Sequence, residues 1–380
     1  MALLHSVSDL LAWLGWYVLP FIVILSAIVF IHELGHYLVG RWCGVGIDAF
    51  SIGFGPELFA RVDSHGTRWR VGALPLGGYV KFHGDANAAS MDVGSTDPSV
   101  DKARTLTAQP VQNRAAIVLA GPVANFLLAF LIFTGIFAGF GRVEHLARIG
   151  RVEANSPAAA AGFTAGDLVK SVNGEPIRSF EALQEATLMS TGLPMSFVVE
   201  RDGHDVGLTA TPKVSVVDQG VFGKRRMGHL GLASSASPND VKVERCSLPT
   251  CLTWGASQEW FIVKATTAYV VGIFAGRESP DQVSGLIGAA QMAGEMAKIS
   301  LWELFSLAAW FSVSVGFMNL LPVPLLDGGH LVFYAFEAAL GRPLSQRTQE
   351  IGLKIGIVLV VMLLVFTTSH DILRLFPNGY

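Results

Sequence analysis

His32, Glu33 and His36 stand in the pattern H-E-x-x-H at a place where charge is costly. No charged residue occurs from Leu10 to Ile31, a run long enough to cross a bilayer. Four residues apart on a helix, the two imidazoles stack on one face and can share a single zinc ion. Glu33 lies about 100° round the helix from His32, beside such a metal without having to bind it. Ionisable groups inside an apolar span are expensive and mark function by default. The plain alternative is a chance pentapeptide.

A catalytic zinc takes three protein ligands and keeps a further position for water. The third candidate is Asp327, in the run Asn319-Leu320-Leu321-Pro322-Val323-Pro324-Leu325-Leu326-Asp327-Gly328-Gly329. Pro322 and Pro324 prevent a regular helix there, and Gly328 and Gly329 are expected to let the backbone bend just afterwards. Taken alone, Asp-Gly-Gly is a turn signal. His330 is either a competing ligand or a packing residue. His65 and His83 have no partner at ligand spacing and read as surface or core histidines. The chemistry expected of the set is metal-assisted amide hydrolysis. A metal lowers the pKa of its water to about 7, and Glu33 takes the proton and later delivers it to the leaving nitrogen. Asn319 either hydrogen-bonds the substrate or its oxyanion, or pairs with a neighbouring helix.

Such a site has to be held by membrane-embedded elements. Of the 380 residues, 51% are hydrophobic and 15% charged, too apolar for an average soluble protein. Net charge is only −3 and no basic tract interleaves with aromatics, so nucleic acid is not expected as a partner. The N-terminal run lacks a basic n-region and a small-residue cleavage site, and reads as a retained anchor. Four stretches can span: about Ala12 to Val39, Ala115 to Phe140, Leu304 to Leu326 and Ile351 to Thr368. Trp260 to Ala275, interrupted by Lys264 and two threonines, reads as an amphipathic helix at the interface.

Basic residues set the orientation. None precedes Arg41, and they then recur through Arg61, Arg68, Arg70, Lys81, Lys102 and Arg104 to Arg114. The positive-inside rule puts that loop in the cytoplasm and the N-terminus outside. The first and third spans then run in the same direction. Asp327 therefore arrives at the depth of the two histidines, by an argument that uses neither motif.

Five blocks together resemble the site-2 protease family of intramembrane zinc metalloproteases. They are His32-Glu33-Leu34-Gly35-His36, Ser51-Ile52-Gly53-Phe54-Gly55-Pro56, Pro75-Leu76-Gly77-Gly78-Tyr79-Val80-Lys81, Gly121-Pro122-Val123-Ala124-Asn125 and Asn319 through His330. The likeness is closest to bacterial members of the regulator of sigma-E protease type, which cleave anti-sigma factors, and it covers nearly the whole chain. It implies one zinc on His32, His36 and Asp327, catalysis by Glu33, and a single-span membrane protein as substrate in a bacterial inner membrane. It also makes Trp69 to Phe82 a hairpin dipping towards the active site from the cytoplasmic face. Its edge at Gly77 and Gly78 would accept substrate as an added strand. Without the resemblance the same stretch reads as an ordinary cytoplasmic hairpin.

A second resemblance lies outside the membrane. Ile149-Gly150-Arg151-Val152, Asn155-Ser156-Pro157-Ala158, Ala161-Gly162-Phe163, Gly166-Asp167-Leu168-Val169 and Ser171-Val172-Asn173-Gly174 follow in an order similar to a PDZ domain of bacterial proteases. Short strands and an Asn-Gly turn fit a small, partly open barrel. Phe180 to Met189 is its expected helix, with Met195 to Arg201 and Val206 to Thr211 as closing strands. Peptide C-termini or extended segments would bind between the helix and the strand at Ile149 and Gly150. Gly228 to Leu232 reads as a strand returning to the membrane and Ala233 to Asp240 as a linker. Cys246 and Cys251 face the oxidising side, where a disulfide and a pair of free thiols both remain open. Cys43 has no apparent partner.

The expected architecture is a polytopic α-helical membrane protein with four transmembrane helices, a cytoplasmic membrane-dipping β-hairpin and one extracytoplasmic PDZ domain. Residues 1–40 form the first span with the zinc motif, 41–113 the cytoplasmic loop with the hairpin, and 114–140 the second span. Residues 141–214 form the periplasmic PDZ domain, and 215–300 a periplasmic linker and amphipathic helix. The third span with the Asp ligand occupies 301–327, a cytoplasmic loop 328–349, the fourth span 350–369 and a tail 370–380. The expected function is intramembrane zinc endopeptidase, acting on single-span anti-sigma-factor-like proteins or signal-peptide remnants. A PDZ-bearing adaptor with structural or no zinc is the alternative, against which Glu33 argues, because a structural site needs no general base. A gluzincin-like enzyme with a glutamate third ligand is the remaining reading.

Overall fold

The computed structural model describes residues 13–85, 101–189, 192–218, 224–235, 237–275 and 285–375. Its main helices are α1 (Leu19–Trp42), α2 (Val111–Phe140), α3 (Phe180–Met189), α4 (Leu248–Phe274), α5 (Leu286–Ile299), α6 (Leu301–Asn319), α7 (Asp327–Leu340) and α8 (Gln346–Leu375). The strands run from β1 (Ile47–Val62) and β2 (Arg68–Phe82) through β3 (Arg142–His145), β4 (Ile149–Val152), β5 (Leu168–Val172), β6 (Glu175–Pro176), β7 (Met195–Arg201) and β8 (His204–Ala210). They continue as β9 (Lys213–Asp218), β10 (Lys224–His229), β11 (Leu232–Ser234) and β12 (Val241–Glu244). The chain divides into two compact units, one of Met1–Thr134, Leu252–Phe274 and Val283–Tyr380, the other of Gly135–Cys251 and Ala275–Gln282.

Helical segments Leu14–Trp42, Val111–Phe140, Leu301–Asn319 and Arg347–Leu373, in the first unit but for residues 135–140, are long and apolar enough to cross a membrane. The third is shorter than expected. Helix α6 stops at Asn319, seven residues of irregular chain follow, and Asp327 opens the separate helix α7 inside what the sequence suggested was a loop. Gly328 and Gly329 therefore do not bend the chain. A Cβ on Gly328 would lie 2.2 Å from the Leu321 carbonyl oxygen, and one on Gly329 2.5 Å from that of Val323. The glycines let the first turn of α7 nest under its own entry loop. The stretch read as linker and interfacial helix also holds more order than expected: α4 begins at Leu248, and α5 follows at Leu286.

The hairpin differs from expectation as well. Trp69 to Phe82 is not itself a hairpin but part of β2, which pairs with the long strand β1 across a turn at residues 63–67. Residues 49–52 have partners on both sides, pairing with 78–81 in opposite direction and with 68–71 in the same direction. The two strands thus curl back on themselves at Gly53–Pro56 and Gly72–Gly77. An aromatic cluster docks them on α1: Phe50 stacks on Trp69 at 4.3 Å between centroids, and Tyr37 sits edge-on to Trp69 at 5.1 Å. Tyr37 Oη and Trp69 Nε1 both donate to the Asp63 carboxylate, at 3.1 and 3.0 Å.

The second unit is built on the antiparallel sheet β6-β5-β7-β8, with a core that includes Ile149, Phe163, Leu183 and Phe197. Helix α3 and strand β7 fall where the sequence placed them, and the last strand of the sheet is His204–Ala210. The unit extends past residue 214, because β11 pairs with β4 and β12 with β3. The stretch read as a linker, Ala233 to Asp240, therefore begins in a strand. Cys246 and Cys251 form a disulfide, with Cα atoms 5.3 Å apart. Buried Asp167 accepts a two-pronged bond from Arg201, Nε to Oδ1 at 2.7 Å and Nη2 to Oδ2 at 2.8 Å.

Candidate active site

Helices α1 and α7 bring His32, His36 and Asp327 together. Their ligand atoms all lie within 4.8 Å of one another. His32 Nε2 is 3.2 Å from His36 Nε2, and Asp327 Oδ2 is 3.1 Å from the first and 3.6 Å from the second. Two donors each ~2.05 Å from a tetrahedral ion stand ~3.3 Å apart, so the triangle has the size that zinc requires. Asp327 Oδ2 is also buried without a hydrogen-bond partner, which is what a carboxylate oxygen awaiting a cation looks like. The residues fit the metal.

Behind the donors, α2 supplies what the sequence reading missed. His36 Nδ1 is 2.8 Å from the Ile117 carbonyl oxygen, which accepts its proton and leaves Nε2 bare for a metal. His32 Nδ1 lies 3.2 Å from Asn125 Nδ2, while Asn125 Oδ1 is buried with no partner. A half-turn of the amide exchanges those two atoms. Oδ1 then accepts the Nδ1–H of His32, so that its Nε2 too is bare. Ser312 Oγ on α6 donates to the Asn125 carbonyl at 2.8 Å and ties the backing helix to the next one. Gly121 completes the wall, because a Cβ there would lie 2.3 Å from His36 Nε2 and 2.8 Å from His32 Nε2. An asparagine in an otherwise apolar run was the available signal, and the structure buries it fully. Its block supported the family resemblance without suggesting what Asn125 touches.

These donors open on a cavity of about 330 Å³, also lined by Glu33, Gly77, Gly78, Asn319 and His330. Glu33 belongs to no donor cluster among the described residues and faces the Val80 amide of β2. Gly78 lies against it: a Cβ there would be 3.2 Å from Glu33 Cγ and 2.7 Å from the Ser51 carbonyl oxygen. Only glycine brings the strand this close. Among the described residues no other strand pairs with the outer edge of β2 at residues 78–82. Asn319 ends α6 on the cavity wall, and His330 stands one turn beyond Asp327, outside the donor triangle.

The remaining candidates lie elsewhere. His83 pairs with Asp48 at 2.8 Å and His65 sits on the exposed hairpin turn, as surface histidines do. Ile149 and Gly150 belong to the other unit, and their strand is not free. Leu232 to Ser234 already pair with it, and a Cβ on Gly150 would lie 2.5 Å from the Ser234 carbonyl oxygen. The groove expected along that edge is filled by the chain itself.

Comparison with known proteins agrees with this chemistry. Residues 20–363 match the model of peptidase family M50, the family of the site-2 proteases. A protein of Rhizobium meliloti named as a zinc metalloprotease is 43% identical over 364 residues, covering 95% of this chain and 97% of its own. One of Agrobacterium fabrum with the same designation is 41% identical over 374 residues, covering 97% and 99%. The metalloprotease MmpA of Caulobacter vibrioides is 39% identical over 376 residues, covering 92% and 94%. The chain belongs to peptidase family M50, and it is a multi-pass membrane zinc metalloprotease.

Proposed function

We propose that this M50 zinc metalloprotease hydrolyses a peptide bond in or near the transmembrane segment of single-span membrane proteins, with His32, His36 and Asp327 as ligands and Glu33 as general base and acid. The observation that carries the reading is the convergence of three donors, one unshared glutamate and an unpaired strand edge on a single cavity. Bound zinc supplies a Lewis acid that polarises the scissile carbonyl and acidifies a water. Everything else falls to the chain. Ile117 and Asn125 hold both imidazoles in the tautomer that presents Nε2. Glu33 accepts a proton from the attacking water and passes it to the leaving nitrogen. A helical substrate hides its peptide bonds in its own hydrogen bonds, so it must unwind, and unwound backbone in lipid needs new partners. The edge of β2 from Gly77 and Gly78 onwards offers them, holding the substrate as an added strand past Glu33. Asn319 contacts that strand from the other wall.

The charge bias supports a site near the cytoplasmic face of a bacterial inner membrane, with the β-rich unit periplasmic. We read that unit as a PDZ domain. It would receive peptide C-termini or extended segments. Substrates of anti-sigma-factor type, or signal-peptide remnants, fit this arrangement. The test is a Glu33→Gln protein in native membranes. It should keep its zinc and accumulate uncut single-span proteins that copurify with it. A membrane proteome identical to that of the wild type would refute the reading.

A further inference from the structure

We propose that the His330 imidazole donates a hydrogen bond to the carbonyl oxygen of the scissile peptide bond, making it a catalytic residue in addition to Glu33. This rests on the ligand assignment given above. Four observations carry it. His330 lines the same cavity as Glu33 and the donor triangle. It follows Asp327 by three residues on α7, so the two side chains share a helical face. It is nevertheless outside the triangle, and among the described residues neither of its ring nitrogens has a hydrogen-bond partner. Its recorded neighbours on α7 are the rings of Phe333 and Tyr334, at 6.4 and 6.5 Å between centroids.

An imidazole on the cavity wall with its polar atoms unspent can present its N–H to a substrate acceptor. Of the other groups on the cavity wall, His32 and His36 are committed by their backing bonds, Asp327 to the cation site and Glu33 to proton transfer, while Asn319, Tyr79 and Tyr334 also line it. The element bearing His330 is also tied to α2. Arg114 on α2 forks onto Glu337 of α7 at 2.6 and 3.0 Å and lies 5.0 Å over the Tyr334 ring, one turn beyond His330. A donor fixed in advance where negative charge develops stabilises the transition state more than the bound substrate. The imidazole donates the hydrogen bond and keeps its proton throughout, so nothing is transferred.

The test compares His330→Phe, which keeps the ring and removes the donors, with His330→Gln, which keeps an N–H at similar reach. The probe is a fluorogenic membrane-spanning peptide cut by the wild type and not by Glu33→Gln, in the same detergent. For His330→Phe, kcat should fall by ~100-fold or more, as for loss of one oxyanion donor. KM should stay within about threefold and zinc per chain should be unchanged. His330→Gln should recover most of the loss, and it carries the test alone if the Phe variant does not fold. Zinc lost from His330→Phe would make His330 a ligand and overturn the proposal. So would a rate within threefold of wild type in that variant, or a Gln variant impaired as deeply with its zinc in place. Asp327→Asn, measured in parallel for zinc content, separates the two ideas. If it retains metal, the ligand assignment fails whatever His330 does.

Discussion

Replacing Gly121 by Ala should leave the fold intact and empty the metal site. In helix α2 the change favours helix by about 1 kcal/mol, so the bundle has no local reason to weaken. The added Cβ, however, would lie 2.3 Å from His36 Nε2, 2.5 Å from its Cε1 and 2.8 Å from His32 Nε2, where real Cβ atoms essentially never come under 3.0 Å. The His36 ring would have to retreat by at least the difference, 0.7 Å. Metal–ligand distances tolerate only about ±0.2 Å. Withdrawal of the whole of α2 is no escape, because it would break the 2.8 Å bond from His36 Nδ1 to the Ile117 carbonyl that sets the tautomer. Loss of orientation alone weakens a site by ~10–100-fold, and a displaced ligand adds to this. Zinc affinity should therefore fall by at least ~100-fold, about 2.7 kcal/mol. Chelator competition on the purified protein, read by plasma mass spectrometry, measures it, with circular dichroism to show helix content unchanged. A Gly121→Ala protein with one tightly held zinc and normal turnover would refute the geometry.

Asn125→Leu should weaken zinc by ~10–100-fold with little change in helix content, by removing the acceptor that fixes the His32 tautomer; chelator titration reads it, and an unaltered affinity would dismiss Asn125 as a helix-packing residue. Burial raises the Asp167 carboxyl, but the Arg201 fork and the Thr164 bonds outweigh it and hold the group below its ordinary value. Its stabilising share is then complete above the unfolded-state value of about 3.9 and is lost as pH falls through the lower folded value. Thermal melts of the full protein should lose stability on acidification in that window, and Arg201→Met should flatten the loss; parallel curves would count against the pair. The disulfide closes a loop with a sequence separation of 5, so Cys246→Ser with Cys251→Ser should cost about 2 kcal/mol, seen as a lower melting temperature without zinc release.

How legible was this in the sequence? Long apolar runs marked the four apolar helices, because lipid imposes a length that composition alone reveals. Helix α3 and strand β7 were equally plain, being bounded by turn residues. What stayed hidden depends on contacts between distant segments. The pairing of residues 49–52 with both 78–81 and 68–71 cannot be read from the alternation of either strand, since a strand paired on both sides shows no distinctive pattern. Ile149 and Gly150 failed for the same reason. They look like a groove edge until residues 232–234, more than eighty positions on, take that edge. Gly328 and Gly329 were given the right importance and the wrong cause, because glycine's freedom to bend and its lack of a Cβ cannot be told apart without neighbours.

The donor triangle shows where sequence reasoning about a membrane protein is strong. H-E-x-x-H supplies two donors of the triangle and says nothing of a third, and 291 positions separate His36 from Asp327. What related them was depth. If basic loops fix which way each span runs, then two spans of like direction present their inner ends at the same level. Asp327 follows the helix-breaking pair at the inner end of the second of these. In the structure it does not ride on that span at all but begins a new helix after Leu320 to Leu326, and its oxygen still lies 3.1 Å from His32 Nε2. Depth alone could not have fixed that distance. Once a loop replaces the span end, the ångström-scale placement passes to the nested glycines, to the Arg114–Glu337 fork and to Gly121 on the facing helix. None of those carries a ligand, so each can be substituted while all three donors keep their identity.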